Sequence, residues 1–96
     1  MKTKENISNI FKYNKDYLCN KYHLKYIGLF GSVCRNDFTD TSDVDVLVEF
    51  DKSVGVEFID LADELEHLLK RKVDLVSKNG VKPKYLAEIE KDLIYV

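Results

Sequence analysis

The sequence has few of the features that mark secreted or membrane proteins. Its 96 residues include one proline, no tryptophan and two cysteines. The two thiols, Cys19 and Cys34, make no disulfide framework, so we expect a reducing, cytoplasmic compartment. Apolar runs stay far below the roughly 20 residues of a membrane span, and residues 1–9 are too polar for a signal peptide. We therefore expect a soluble protein that does not bind membranes.

An excess of positive charge is also missing. Fifteen Lys and Arg residues against 17 Asp and Glu residues give a formal net charge of −2. Proteins that hold long nucleic acids by their phosphates are usually basic, so we expect no stable polynucleotide binding. Instead, the sequence is 45% hydrophobic and 33% charged, as in ordinary globular proteins. At this length we expect a single domain over residues 1–96.

The spacing of apolar residues predicts alternating helices and strands. Helical periodicity predicts an amphipathic helix from about residue 5 to 22 and a second helix over 57–70, and Pro83 precedes a short third helix. Residues 33–42 are mostly polar and predict a helical turn and a loop. Short apolar or alternating runs predict strands over residues 26–30, 43–50, 73–76 and 93–96. This order predicts an α/β or α+β fold, with helices packed on one mixed sheet of about four strands, and leaves the strand order open.

Two aspartates stand close together at the start of the second predicted strand. Asp43 and Asp45 are two residues apart, so in a strand their carboxylates point the same way from Cα atoms roughly 6.5 Å apart. Such like charges repel, whereas a divalent cation would turn repulsion into binding, and hard oxygen ligands suit Mg²⁺ or Mn²⁺. An isolated pair of this kind more often caps a loop in water, so that alternative stays open.

Two further features accompany the aspartate pair. Gly31-Ser32 follows the first strand, where glycine lets a phosphate approach the backbone and the serine hydroxyl can bind it. The alternative is a tight turn with a serine helix cap. Asp74 lies between apolar residues in the third strand, where a lysine partner or exposure at a sheet edge is the alternative. Together these residues could hold two metal ions about 3.5–4 Å apart for displacement at phosphorus.

These residues carry a resemblance to a known family. Gly31-Ser32, ten residues and then Asp43-Val44-Asp45 reproduce the Gly-Ser-x10-Asp-x-Asp signature of the DNA polymerase β-like nucleotidyltransferase superfamily. More narrowly, residues 29–35 and 42–48 resemble the minimal nucleotidyltransferase (MNT) family. Asp74 falls where that family places its third carboxylate. The resemblance covers essentially the whole chain.

The resemblance implies a nucleotidyltransferase fold and a transferase that uses ATP with two Mg²⁺ ions, or Mn²⁺ in their place. By analogy, Gly31 and Ser32 bind the triphosphate, and Asp43 and Asp45 hold both metal ions. Asp74 completes one metal site and helps to activate the acceptor oxygen.

Arg35 also lies in the segment that resembles the MNT family. A guanidinium at this position can contact a nucleotide phosphate or pair with Asp37 or Asp40, and the sequence does not decide between these. Cys34 and Asn36 depart from the family's usual alanine and glycine. Because cysteine is small and asparagine tolerates left-handed backbone angles, we expect the turn to keep its shape.

Many MNT proteins are antitoxins paired with a HEPN-family RNase toxin, and some transfer AMP to a toxin tyrosine. The resemblance therefore implies AMP transfer to a hydroxyl of a HEPN partner, in a complex with that partner. Two alternatives stay open. The chain could be a catalytically idle antitoxin that neutralises its toxin by docking, or a small-molecule transferase similar to the aminoglycoside-modifying enzymes.

Overall fold

The structure is a computed structural model that describes residues 3–96, so the first two residues of the expected 1–96 domain lie outside the described residues. The predicted helices and strands are confirmed, with shifted ends. The first strand begins two residues before position 26, the second begins at Val44 so that Asp43 precedes it, and the helical turn begins at Gly31. The elements are α1 Thr3–Tyr22, β1 Leu24–Phe30, a 3-10 helix Gly31–Cys34, β2 Val44–Phe50, α2 Val56–Leu69, β3 Val73–Ser77, α3 Pro83–Glu90 and β4 Ile94–Tyr95.

The four strands form one mixed sheet in the order β3-β2-β1-β4, which confirms the predicted fold class and fixes the strand order. β1 lies antiparallel to both β2 and β4, whereas β2 and β3 are parallel. Parallel strands need a crossover connection, and here α2 provides it. Because β2 and β3 run in the same direction, their amino-terminal ends lie at the same end of the sheet.

The main core lies between one face of the sheet and the helices α1 and α2. Val44, Val46 and Val48 alternate along β2 and are fully buried on this face. Leu61 and Leu65, one helical turn apart in α2, are buried as well. None of the helices in the described range 3–96 has the length and apolar character that a membrane crossing needs.

The opposite face of the sheet is covered by the chain segment around α3. Leu47 points away from the main core, yet it is 0% exposed. It pairs in register with Gly28, where an added Cβ would lie only 2.6 Å from Cδ1 of Leu93. The missing side chain at Gly28 therefore allows the segment between α3 and β4 to lie directly on the sheet.

A polar contact ties α1 to α2 at the surface. The Tyr22 hydroxyl donates a hydrogen bond to Oε1 of Glu64, and Nζ of Lys21 lies 3.0 Å from the same oxygen. Burial disfavours ionisation of Glu64, but the hydrogen bonds from Tyr22 and Lys21 outweigh it and lower the pKa of the Glu64 carboxyl. Burial, and then the hydrogen bond to Glu64, raise the pKa of Tyr22 to about 12.

Candidate active site

Two of the three predicted metal-binding aspartates lie side by side at one end of the sheet. Asp45 in β2 is the register partner of Asp74 in β3. Register partners on neighbouring parallel strands point to the same face about 4.8 Å apart, so these carboxylates are neighbours. Asp43 lies one residue before β2 and is exposed. The fold therefore brings all three aspartates to the amino-terminal ends of β2 and β3.

The electrostatics of this cluster favour a bound cation. Asp45 is half-buried, whereas Asp43 and Asp74 are exposed. Burial raises the pKa of the Asp45 carboxyl, the negative charges of Asp74 and Asp43 raise it further, and the positive charge of Arg35 opposes them. A divalent metal would compensate the negative charge that these neighbours impose on Asp45.

The glycine of the Gly31-Ser32 turn packs directly against this carboxylate. Gly31 follows β1, and the last residue of that strand, Phe30, pairs in register with Asp45. The backbone of Gly31 has φ +72°, and an added Cβ would collide with Oδ2 of Asp45. Any other residue would thus strain the turn and displace the carboxylate. The structure joins the predicted phosphate turn to the predicted metal ligands.

Ser32 does not cap the short helix that it lies in. Phe30 occupies the N-cap position of the 3-10 helix Gly31–Cys34, without a side-chain cap hydrogen bond. The Ser32 carbonyl accepts a hydrogen bond from the backbone N–H of Arg35 at 3.0 Å, which ends this helix. Helix capping is therefore not the reason for a serine here, and phosphate binding by its hydroxyl stays a prediction.

Arg35 forms ion pairs with Asp37 and with Asp92, and sequence reasoning missed the second. Its Nε lies 3.3 Å from Oδ1 of Asp37, as one alternative predicted, and its Nη1 lies 2.7 Å from Oδ2 of Asp92. Asp40, the other predicted partner, instead accepts a hydrogen bond from Arg71 through its backbone carbonyl. No local signal pointed to Asp92, because it lies 57 positions from Arg35 and meets it only in the folded chain.

The three aspartates fit a Mg²⁺ site that substrate completes, rather than a preformed protein cage. In the part of the chain that the structure describes, no three His, Cys, Asp or Glu side chains converge as a complete metal-binding group. Mg²⁺ keeps several waters and is usually held by one or two carboxylates together with substrate phosphates. The donor chemistry of Asp43, Asp45 and Asp74 matches that preference.

The chain is similar over its whole length to two archaeal proteins. MJ0128 of Methanocaldococcus jannaschii, provisionally named a protein adenylyltransferase, is 46% identical over 98 residues, which cover 100% of both chains. Protein adenylyltransferase MntA of Thermococcus cleftensis is 36% identical over 97 residues, which cover 100% of this chain and 98% of MntA.

A solved structure and a family match agree with this relationship. The structure is described as a tri-AMPylated Shewanella oneidensis HEPN toxin in complex with MNT antitoxin. One of its chains superimposes with a TM-score of 0.68 at 23% identity, over 97% of this chain and 70% of that chain, which shows a shared fold. The family described as Polymerase beta, Nucleotidyltransferase matches residues 5–96. This chain therefore belongs to the polymerase β nucleotidyltransferase family.

Proposed function

We propose that this chain is a Mg²⁺-dependent protein adenylyltransferase that transfers AMP from ATP to a tyrosine hydroxyl of a HEPN-family toxin, and so acts as its antitoxin. The observation that carries the proposal is the placement of Asp45 between Asp74 and Gly31. The names of MJ0128 and MntA support transfer to protein, and the AMPylated HEPN toxin with its MNT antitoxin supports the choice of partner.

Each residue of the cluster has a separate role in the proposed reaction. Gly31 and Ser32 bind the triphosphate, because the turn carries no Cβ at the point of close approach and offers backbone N–H groups and a hydroxyl. Asp43 and Asp45 hold two Mg²⁺ ions, with Asp74 as the third carboxylate. When bound, the ions would neutralise the triphosphate and stabilise the charge that develops at phosphorus.

The proposed chemistry is an in-line displacement at the α-phosphorus of ATP. The acceptor oxygen forms a bond to the α-phosphorus, the bond from that phosphorus to the oxygen bridging the β-phosphorus breaks, and pyrophosphate leaves. Asp74 takes the proton of the acceptor hydroxyl as a general base. Its exposure on the edge strand β3 suits this role, since a hydroxyl carried by another chain can approach an exposed carboxylate.

Intact mass measurement tests the proposal. The purified chain is incubated with ATP, Mg²⁺ and its HEPN partner, and the partner is expected to gain one or more AMP groups. The Asp45→Asn variant should lower the rate of AMP transfer by a factor of roughly 10²–10³ or more. The reason is that it removes the charge of a metal ligand where the transition state needs a metal ion. Asp60→Asn removes the same charge from the exposed surface of α2 and is the matched control.

The same samples separate transfer from docking. Docking depends on a surface spread over many residues, so Asp45→Asn should leave the affinity for the partner almost unchanged in calorimetry. The proposal of AMP transfer is wrong if the wild-type chain neutralises the partner without any change in the partner's mass, and Asp45→Asn neutralises it equally well. The chain would then act by docking.

A further inference from the structure

Asp92 makes an ion pair that reaches the candidate site from the far end of the chain. Its Oδ2 accepts a hydrogen bond from Nη1 of Arg35 at 2.7 Å, whereas the Asp37 contact to Nε is 3.3 Å long. The Asp92 side chain is also better shielded, at 35% exposure against 65% for Asp37. The short, charge-assisted contact therefore makes Asp92 the stronger of the two partners.

The fold holds the backbone at Asp92 from both sides. On the amino-terminal side, the backbone N–H of Asp92 donates a hydrogen bond to the carbonyl of Ile89, a buried residue in the last turn of α3. On the carboxyl-terminal side, the Leu93 side chain packs on Gly28, so closely that a Cβ added to Gly28 would lie 2.6 Å from Cδ1 of Leu93. Asp92 is thus part of a segment pressed onto the central strand β1, and not of a loose loop.

The other member of the pair lies beside the predicted triphosphate turn. Arg35 ends the 3-10 helix that Gly31 begins, with its backbone N–H bonded to the carbonyl of Ser32. Its charge acts on the Asp45 carboxylate. Asp92 therefore holds the guanidinium of a residue that ends the predicted triphosphate turn and whose charge reaches the Asp45 carboxylate.

We propose that Asp92 is a positioning residue, which holds the Arg35 guanidinium beside the Gly31-Ser32 turn so that Arg35 binds the triphosphate of ATP. The inference rests on the proposed function, because it takes ATP as the substrate. An arginine side chain loses much rotamer freedom when it binds a phosphate, and a carboxylate that fixes it beforehand lowers that cost. A guanidinium carries five donors, so it can keep a carboxylate partner while it donates to a phosphate.

A double-mutant cycle on ATP binding tests this inference. Calorimetry with ATP and Mg²⁺ compares the wild-type chain, Asp92→Asn, Arg35→Gln and the double variant. We expect Asp92→Asn to weaken ATP binding about fivefold, the upper range for a partly exposed ion pair. In the Arg35→Gln background the same change should have almost no effect, because Asp92 acts through Arg35.

Two further variants keep the result interpretable. Asp92→Glu keeps the charge but moves the carboxylate by one methylene, so it should lose less affinity than Asp92→Asn. Glu88→Gln is the matched control, since Glu88 pairs with Lys91 at 3.2 Å on the surface of α3. Urea unfolding without nucleotide is measured for every variant, because a purely structural role of Asp92 would lower stability without coupling to Arg35.

The outcomes decide separately on this inference and on the proposed function. A loss for Asp92→Asn that disappears in the Arg35→Gln background supports positioning. Unchanged binding in Asp92→Asn, unchanged binding in Arg35→Gln, or losses that simply add would each overturn positioning while the proposed function stands. A wild-type chain that binds no ATP in the presence of Mg²⁺ would overturn both, and this appears before any variant is tested.

Discussion

Replacing Asp45 with asparagine tests whether like charges destabilise the metal-free site. Asp45 and Asp74 are register partners, so their Cα atoms lie about 5 Å apart, and we take the same distance for their carboxylates. Two unit charges at that distance repel by about 0.8 kcal/mol in water and about 3 kcal/mol at an effective dielectric constant of 20. Asp74 is exposed, so the lower part of this range applies. Since Asn also relieves the burial of a charge, we expect Asp45→Asn to raise the free energy of unfolding by about 0.5–1.5 kcal/mol at pH 7.

The dependence of this gain on pH follows from the direction of the pKa shift. The pKa of Asp45 is raised in the folded chain, first by burial and then by Asp74 and Asp43. The protonated carboxyl therefore suits the fold, and the wild-type chain loses stability as the pH rises through the folded pKa. Asparagine mimics the protonated form at every pH. The advantage of Asp45→Asn should thus be present at pH 7 and vanish below the ordinary aspartate pKa of about 3.9.

Urea unfolding in the presence of a chelator, from pH 3.5 to pH 7.5, measures both effects. Asp60→Asn, on the exposed surface of α2, is the control for removing one negative charge elsewhere. A loss of more than about 2 kcal/mol in Asp45→Asn at pH 7 would refute the reasoning, because it would make the carboxylate a structural group rather than a strained ligand. A gain that does not change with pH would refute the electrostatic cause.

Three other predictions address the metal, the turn and the contact between the helices. Calorimetry should find weak Mg²⁺ binding without ATP and stronger binding with it, since substrate phosphates complete the site; equally tight binding in both cases would contradict this. Gly31→Ala should cost about 1–2 kcal/mol in urea unfolding, because of its positive φ and the contact with Asp45, and should lower AMP transfer; unchanged transfer would contradict the close packing. Glu64→Gln should cost about 0.5–1 kcal/mol at pH 7, the lower part of the range for a hydrogen bond, because the contact to Lys21 is exposed and Glu64 itself is only partly buried. The pKa of Glu64 is lowered in the fold, so this cost should be full above the ordinary glutamate value of about 4.3 and decrease as the pH falls from there through the lower folded pKa; a cost that does not change with pH would contradict it.

The local part of the site could be predicted because its signals lie close together in the sequence. The Gly31-Ser32 turn follows a short apolar run, and the alternation after Asp43 reveals a strand with one polar position at Asp45. Both patterns depend only on backbone geometry within a few residues. What they could not give is the pairing of Asp45 with Asp74, because that register depends on the crossover through α2.

The errors in element boundaries have a physical reason as well. β1 begins at Leu24, directly after His23, whose φ of 58° lets the chain turn out of α1. α2 ends similarly at Leu69, because Lys70 after it has φ 54°. Glycine or asparagine usually occupies such left-handed positions, but here the residues are histidine and lysine. The sequence therefore carries no signal for these two turns. The contacts of the folded chain impose these backbone angles, which local propensity does not predict.

The different exposures of Asp45 and Asp74 suit them to different parts in the proposed reaction. Asp45 lies within the sheet, half-buried and packed against Gly31, so its position is determined by the fold and it suits a metal ligand. Asp74 lies on the edge strand β3 and is exposed, where a hydroxyl of another chain can reach it. A base that must take a proton from a partner protein has to be accessible, whereas a ligand that orients metal and phosphate has to be fixed. We therefore infer that Asp45 is the ligand that cannot be moved without loss of transfer, and that Asp74 faces the acceptor.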